Sequence, residues 1–230
     1  MAEKFAYSPE TLIKAYALGV FPMADSADSP EIHFYDPDMR ALIPLEITGP
    51  TALHIPRRLR RTVRQNRLRV TIDQAFARVI SECATPRADR TETWINEDIK
   101  QLYVALHKLG FAHSVEVWDG DALVGGLYGV ALRAVFFGES MFSRTNDASK
   151  IALIHLVARL RHGGFHLLDA QFTNDHLQQF GIFEVSREVF QTALAGGLAY
   201  AGDLALDQPS APMVMTMLDD IRAIETGAST

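Results

Sequence analysis

The sequence predicts an α/β (α+β) fold, and three observations carry that reading. Residues 113–118 and 122–130 read as two strands joined by Asp119-Gly120-Asp121, a short hairpin signal. A third strand is expected over 134–138, ahead of a helix at about 147–162 whose apolar positions include Ile151, Leu153, Ile154, Leu156, Val157 and Leu160. Gly163-Gly164 stops that helix, and another strand follows at 165–170.

The remaining elements follow from local signals. Ser8-Pro9-Glu10 is an N-cap with proline at the first helical position, and Gly19 occupies the place of a C-terminal glycine, so 9–18 is a short helix. Beyond it Pro22, Pro30, Pro37, Pro44 and Pro50 punctuate short extended runs at 32–35 and 41–45, which predict a small irregular sheet. From about 51 the pattern becomes regular. Asp73 leads a helix with Ala75, Phe76, Val79 and Ile80, and Asn96 leads another with Ile99, Leu102, Tyr103, Leu106 and Leu109, closed by Gly110. Further helices are expected near 175–180 and 187–195, and the tail after Gln208 as either a last strand and helix over 213–224 or a partly disordered segment. Antiparallel strands leading into a helix and a returning strand is the order of an N-acetyltransferase-like (GNAT-like) acyltransferase. The predicted organisation is a small N-terminal α+β domain over 1–50 and a GNAT-like domain over 51–230.

Composition bounds the function classes. With 230 residues, 48% of them hydrophobic, the chain can bury one large core or one core and a small appendage, which excludes global disorder. Cys83 is the single cysteine, so no intrachain disulfide can form. The N-terminal residues MAEKFAYSPE lack the basic and apolar regions of a signal peptide. The longest apolar run, 122–138, is short for a membrane span and contains Arg133, so it reads as a buried hairpin of a cytoplasmic protein with no membrane partner.

Charge is segregated. The formal net charge is −6, yet residues 57–69 hold seven arginines, at 57, 58, 60, 61, 64, 67 and 69, and no acid, leaving −13 for the rest. An arginine-rich helix face in solvent is the ordinary meaning of such a run. Seven arginines without lysine or acid weigh instead towards a surface that neutralises phosphates, with salt-dependent and largely sequence-blind binding. An acidic protein with one basic patch suits a structured RNA held transiently rather than DNA.

Polar groups on apolar strands locate the chemistry. Gly138-Glu139-Ser140 places a carboxylate where a buried strand opens, and Asp169 and Gln171, two apart on a strand, share a face. A mostly apolar ligand held beside a few polar contacts is the implied site. The competing structural readings are a turn cap for Asp169 and an ion pair with Arg144 for Glu139. His162 and His166 straddle a Gly-Gly pair with no thiolate cluster, so no metal site is expected. Neither a cysteine–histidine pair nor a nucleophile elbow points to covalent catalysis.

Several motifs together resemble the leucyl/phenylalanyl-tRNA–protein transferase family. They are Ala15-Tyr16 with GVFPM at 19–23, Pro37, Arg40, ETWI at 92–95, SVEVW at 114–118, GGLYGVA, FFGESMFS, ASK and D-x-Q-x-x-x-x-H from Asp169 to His176. The match runs from about residue 8 to residue 190, with Phe34-Tyr35-Asp36-Pro37, Pro56 and Met23 departing from the family pattern. The resemblance implies transfer of leucine, phenylalanine or less often methionine from aminoacyl-tRNA to proteins beginning with arginine or lysine, which marks them for degradation. It implies no cofactor, with Leu-tRNA and Phe-tRNA as co-substrates, and a monomer is expected.

The resemblance also implies residue roles. Asp169 and Gln171 are the catalytic pair, Asp169 orienting Gln171 or accepting positive character and Gln171 holding the incoming amine. Glu139 reads the amine or the basic side chain of the acceptor. Leu127, Phe136, Leu153, Leu156 and Leu168 form the aminoacyl pocket, Trp94 and Tyr103 contact the 3′ adenosine by stacking, and Tyr16 contributes from the N-terminal domain. Apart from the resemblance, the charge run assigns Arg57, Arg60, Arg61 and Arg64 to holding the acceptor stem of the tRNA. The same fold could serve an acetyl-CoA-dependent enzyme, but residues 143–150 lack the glycine-rich turn that cradles a pyrophosphate. A non-catalytic RNA-binding module would explain the arginines and leave Glu139, Asp169 and Gln171 without a purpose.

Overall fold

A computed structural model describes residues 7–86 and 92–227. The chain opens with α1 (Pro9–Ala17), where the Ser8 side chain accepts from the Thr11 N–H and Pro9 takes the first helical position. Gly19 then turns the chain with φ +83°, a left-handed conformation that L side chains avoid. Strands β1 (Phe21–Ala24) and β2 (Ile32–Tyr35) pair antiparallel as a separate two-stranded sheet. The next strand, β3 (Met39–Leu42), does not join them. It enters the large sheet between β8 (Leu167–Gln171) and β9 (Phe183–Ser186), so the expected small sheet holds only the first of its two extended runs. Arg40, Ala41 and Leu42 are all buried, and a strand covered on both faces is stable where both edges also find partners.

The rest of the chain supplies α2 (Arg57–Arg64), β4 (Arg69–Ile72), α3 (Phe76–Ala84), α4 (Glu97–Lys108), β5 (Ala112–Asp119), β6 (Ala122–Leu132) and β7 (Val135–Ser143). Then come α5 (Ala148–His162), the strand β8, the short α6 (Asp175–Gln178), the strand β9, α7 (Arg187–Ala199) and α8 (Ser210–Thr226). The seven-stranded order is β4-β5-β6-β7-β8-β3-β9, antiparallel except for the β7–β8 pair, which α5 connects. The sheet divides two apolar clusters. One packs α5, α8 and α2 on the sheet through Ile154, Val157, Val214 and Leu59; the other packs α1, α3, α4 and α7 through Leu12, Val79, Leu102 and Phe190. Among the described residues no helix is long and apolar enough to cross a membrane.

Three expectations change. Asp73 does not cap α3: it sits at φ 56°, and its carboxylate accepts the Ser114 N–H at 2.8 Å and faces His113 Nδ1 at 2.7 Å. The carboxylate of Glu116, across the sheet edge, accepts the Ala75 N–H at the start of α3 instead, at 3.2 Å. β7 runs on through Ser143, so Glu139 lies within a strand and not at its end. The tail forms α8 without a preceding strand. Residues 143–150 also make a left-handed turn without glycine, at Asp147 with φ 65°.

The site is prepared by two irregularities in the sheet. On β7 Gly138 pairs with Gly129 and Ser140 with Tyr128, which leaves Glu139 as the extra residue of a β-bulge. On β8 Gln171 pairs with Ala41 and Asp169 with Leu42, leaving Ala170 extra. A bulge re-aims its side chain and twists the strand. The parallel β7–β8 ladder ends at Phe137 and Asp169, after which β7 continues on β6 and β8 on β3, so a crevice opens at their carboxyl ends. Gly129 is required opposite that bulge: a Cβ there would stand 2.3 Å from the Phe137 carbonyl oxygen.

Candidate active site

Glu139 is the hub of the crevice. Its Oε1 accepts from Tyr16 Oη at 2.7 Å and Gln171 Nε2 at 3.0 Å, and its Oε2 accepts from Tyr103 Oη at 2.8 Å. The two tyrosine hydroxyls also contact one another. Burial pushes the Glu139 carboxyl from 4.5 up to about 7; the bonds from Tyr16, Tyr103 and Gln171 pull it back, and the Asp169 charge adds to the rise. Burial, and then the Glu139 charge, raises both phenols well above 10, so both remain protonated donors. The expected alternative partner of Glu139 is engaged elsewhere: Arg144 forks onto Glu82.

Asp169 lies behind this layer. Its carboxylate is bidentate with Arg40, Nε to Oδ1 at 2.9 Å and Nη2 to Oδ2 at 2.6 Å, and Oδ1 also accepts the Gln171 backbone N–H at 2.8 Å. Arg40 is itself fixed by the Gly19 carbonyl at 2.9 Å and by the rings of Phe21 and Phe190, 4.6 and 4.4 Å from its guanidinium carbon. Of the two expectations for Asp169, orienting Gln171 fits this geometry; accepting positive charge from a substrate does not, because Arg40 already neutralises it. Gln171 stands at φ 64°, the conformation that turns its side chain back towards Glu139. With Nε2 committed to Glu139, its amide presents the carbonyl oxygen as an acceptor.

Beside these groups is a cavity of about 500 Å³ lined by Leu127, Leu153, Leu156 and Leu168 as expected, together with Trp94, Glu139, Gly138 and Asp169. Ile43, Met141, Asn174, His176 and Leu177 also line it, and the sequence reading did not single them out for this role. Phe136 is 1% exposed and packs in the core cluster with the four leucines, without lining the cavity. Trp94 is half-buried at the cavity wall and packs partly against the core. Tyr103 is different: it is wholly buried, packed edge-on to Tyr128, and reaches the site only by its hydroxyl. Stacking on a base needs an open ring, so its place here is as a support for Glu139. Tyr16 does the same from α1.

The arginine tract lies apart from this cavity, on α2. Leu59 and Val63 bury one side of that helix, while Arg57, Arg60, Arg61 and Arg64 line a second cavity of about 430 Å³ with Leu218, Arg222 and Glu225 of α8. The tract has no acid of its own and meets two in space: Arg60 forks onto Glu225 at 2.9 Å and Arg64 bonds Asp219 at 2.7 Å. Arg69 turns to the sheet edge, with its guanidinium carbon 5.1 Å from the centre of Trp118.

Arg40 is the residue whose role went unread. It carries a signal, a lone arginine in the apolar run MRALIPL, since an arginine buried in a strand requires a buried acid. Among the described residues no group of three or more His, Cys, Asp or Glu is placed to hold a metal ion.

Comparison with known proteins bears on this arrangement directly. Residues 47–195 match the family model described as leucyl/phenylalanyl-tRNA protein transferase, and residues 5–38 match its N-terminal domain. A leucyl/phenylalanyl-tRNA--protein transferase of Hyphomonas neptunium is 56% identical over 197 residues, 86% of this chain and 74% of the relative. That of Paramagnetospirillum magneticum is 56% identical over 190 residues, 83% and 88% of the two chains. That of Rhodospirillum rubrum is 50% identical over 212 residues, 92% and 96%. The segment 5–38 supplies Tyr16, Gly19 and Phe21 and the segment 47–195 supplies Glu139, Asp169, Gln171 and the four leucines, so most of the crevice falls within the likeness, and the chain belongs to the leucyl/phenylalanyl-tRNA protein transferase family.

Proposed function

We infer that the protein transfers leucine or phenylalanine, less often methionine, from aminoacyl-tRNA to the N-terminal arginine or lysine of acceptor proteins, marking them for degradation. The observation that carries this reading is the leucine-lined cavity of about 500 Å³ with Glu139 at its wall, hydrogen-bonded to Gln171. The leucines of the cavity offer an apolar side chain a mostly apolar wall, and the carboxylate beside it attracts a cationic acceptor. Charged side chains are disfavoured in the same cavity by desolvation.

The chemistry is aminolysis of an ester. The acceptor's α-amine, with an ordinary pKa of about 7.7–8.0, attacks the aminoacyl carbonyl. The new C–N bond forms, the bond to the ribose oxygen breaks, and one proton passes in net from amine to ribose oxygen. No oxidant, reductant or additional acyl carrier enters that balance, so no cofactor is required by it. The Gln171 carbonyl oxygen holds the amine, Asp169 and Arg40 hold Gln171, and the aligned reactants gain most of their rate from placement. Monomeric action in the cytoplasm is part of the proposal.

The test offers labelled leucine on tRNA to a model protein beginning with arginine, to the same protein beginning with alanine, and compares labelled acetyl-CoA as donor. Label should enter only from Leu-tRNA and only at the basic N-terminus. Label from acetyl-CoA, or equal labelling of the alanine protein, would overturn the reading.

A further inference from the structure

A third cavity, of about 580 Å³, remains without a role. Arg58 of α2, Arg144, Asn146 and Lys150 at the start of α5, and His176 and Gln179 around α6 all line it. We propose that this cleft binds the phosphodiester backbone of the donor RNA's single-stranded 3′ end, between the terminal adenosine and the base-paired stem. The proposal rests on the transferase reading above and deepens it.

Position is the first argument. His176 lines both this cleft and the aminoacyl cavity, so the two adjoin. Arg58 lines the cleft while its neighbour Arg57, with Arg61, lines the basic cavity on the other side of α2. The cleft thus adjoins the aminoacyl cavity at His176 and reaches α2 at Arg58, the helix whose other arginines line the basic cavity. A polynucleotide whose acyl end fills the aminoacyl cavity and whose stem lies on that helix passes through the cleft.

Charge is the second argument. The leucine-lined cavity gives a phosphate no counter-charge, whereas three cations line the cleft against the one carboxylate of Asp147. Lys150 is bonded to Asp147 at 3.0 Å and Arg144 is engaged with Glu82, but among the described residues Arg58 makes no ion pair and is exposed. Thr145, Asn146, Ser149 and Gln179 add neutral hydrogen-bonding groups to the walls, a composition suited to sugars, phosphates and base edges and unsuited to an apolar acyl group.

The experiment compares three leucyl donors: full-length Leu-tRNA, a leucylated CCA trinucleotide, and leucyl-adenosine, which contains no phosphodiester. Arg58→Ala and Lys150→Ala should each raise KM several-fold for the first two donors and leave transfer from leucyl-adenosine unchanged, with Arg58→Lys restoring most of the loss. The salt dependence of tRNA binding should flatten by about one unit of slope per cation removed. Arg57→Ala with Arg61→Ala should affect only full-length tRNA, because the trinucleotide has no stem. Equal losses with leucyl-adenosine, or no loss with the trinucleotide, would overturn the assignment of the cleft. Failure of the unaltered protein to use any donor would instead overturn the transferase reading, and the cleft's role with it.

Discussion

Asp169 and Arg40 are joined by two hydrogen bonds, at 2.9 and 2.6 Å, in a place where Asp169 is 0% and Arg40 1% exposed. The pair links β8 to β3 and, through Gly19, Phe21 and Phe190, to both the N-terminal segment and α7. Removing one member of a buried pair strands the other charge, at a cost of about 3–5 kcal/mol. Asp169→Ala should therefore lower the denaturant midpoint sharply as well as abolish transfer, while Asp169→Asn, which retains an acceptor for the Gln171 N–H, should lose less activity. A full-stability Asp169→Ala protein would contradict the structural half of this role.

Gln171 carries the opposite expectation. Its side chain is 5% exposed and bonded to Glu139, which keeps two tyrosine donors without it, and alanine at φ 64° is no more strained than glutamine, so Gln171→Ala should unfold close to the parent midpoint. Its kcat should fall by about a hundredfold, the scale of losing one positioned polar group at a reacting centre, with little change in affinity for Leu-tRNA. A matching loss of RNA affinity, measured by filter binding, would remove Gln171 from the chemistry.

Glu139 makes both stability and activity depend on pH, in opposite senses. Burial raises its folded pKa from 4.5 to about 7, so between those values the folded state holds more protons than the unfolded one. The stabilisation this represents is fully present below about pH 4.5 and is lost as pH rises to about 7. The anion that attracts a basic acceptor forms over the upper part of the same window. Transfer should rise through about pH 7, and Glu139→Gln should remove that limb and the matching slope in stability. A limb left in place in Glu139→Gln belongs to the acceptor amine, which titrates close by.

Selectivity for the transferred group should follow the volume of the leucine-lined cavity. Leu156→Ala opens space on α5, so the ratio of kcat/KM for Phe-tRNA to that for Leu-tRNA should rise by about tenfold or more, the worth of one or two methylene-sized changes. The same variant should lose about 2–5 kcal/mol of stability from the cavity it leaves. An unchanged ratio measured at permissive temperature would place the acyl group elsewhere.

Local signals along the chain set the elements they govern locally. Asn96 caps α4 by accepting from the Ile99 N–H, Ser8 caps α1, and the periodicity of 147–162 is a helix over Ala148–His162. That Asp169 and Gln171 lie on one strand was legible for the same reason, but the bulge at Ala170 and the φ of 64° at Gln171, which break their shared face and send one side chain to Arg40 and the other to Glu139, were not. What escaped was set by partners distant in sequence. Ala41 pairs with Gln171, 130 residues away, and carries β3 out of the small sheet. Glu139 faces the crevice through a bulge that depends on its register with β6, which a pattern of period two does not reveal. Tyr103 has the helical spacing of a core residue and is one, and its use lies in a hydroxyl whose partner the spacing could not name.

The arginines of α2 were legible as a charge run, but their division into paired and unpaired members was not, because the acids arrive from α8. That helix is fixed against α5: His155 Nδ1 lies 2.7 Å from Ser210 Oγ, and Arg159 donates to the carbonyls of Leu204 and Gln208 just before α8. Glu225 and Asp219 are thereby held against Arg60 and Arg64, and a phosphate approaching these two must displace a carboxylate already in place. Arg57 and Arg61 form no ion pair among the described residues, although Arg57 also feels the charge of Glu225. Arg57→Ala with Arg61→Ala should therefore weaken tRNA binding more than Arg60→Ala with Arg64→Ala, with a larger drop in salt slope. Asp219→Asn with Glu225→Gln should strengthen binding and steepen the slope, since each exposed pair contributes only about 0–1 kcal/mol to folding and its release frees a cation. Titration of tRNA at several salt concentrations measures all three. Weaker binding by the Asp219→Asn, Glu225→Gln protein would mean that the acids serve to aim the arginines and do not compete with the RNA.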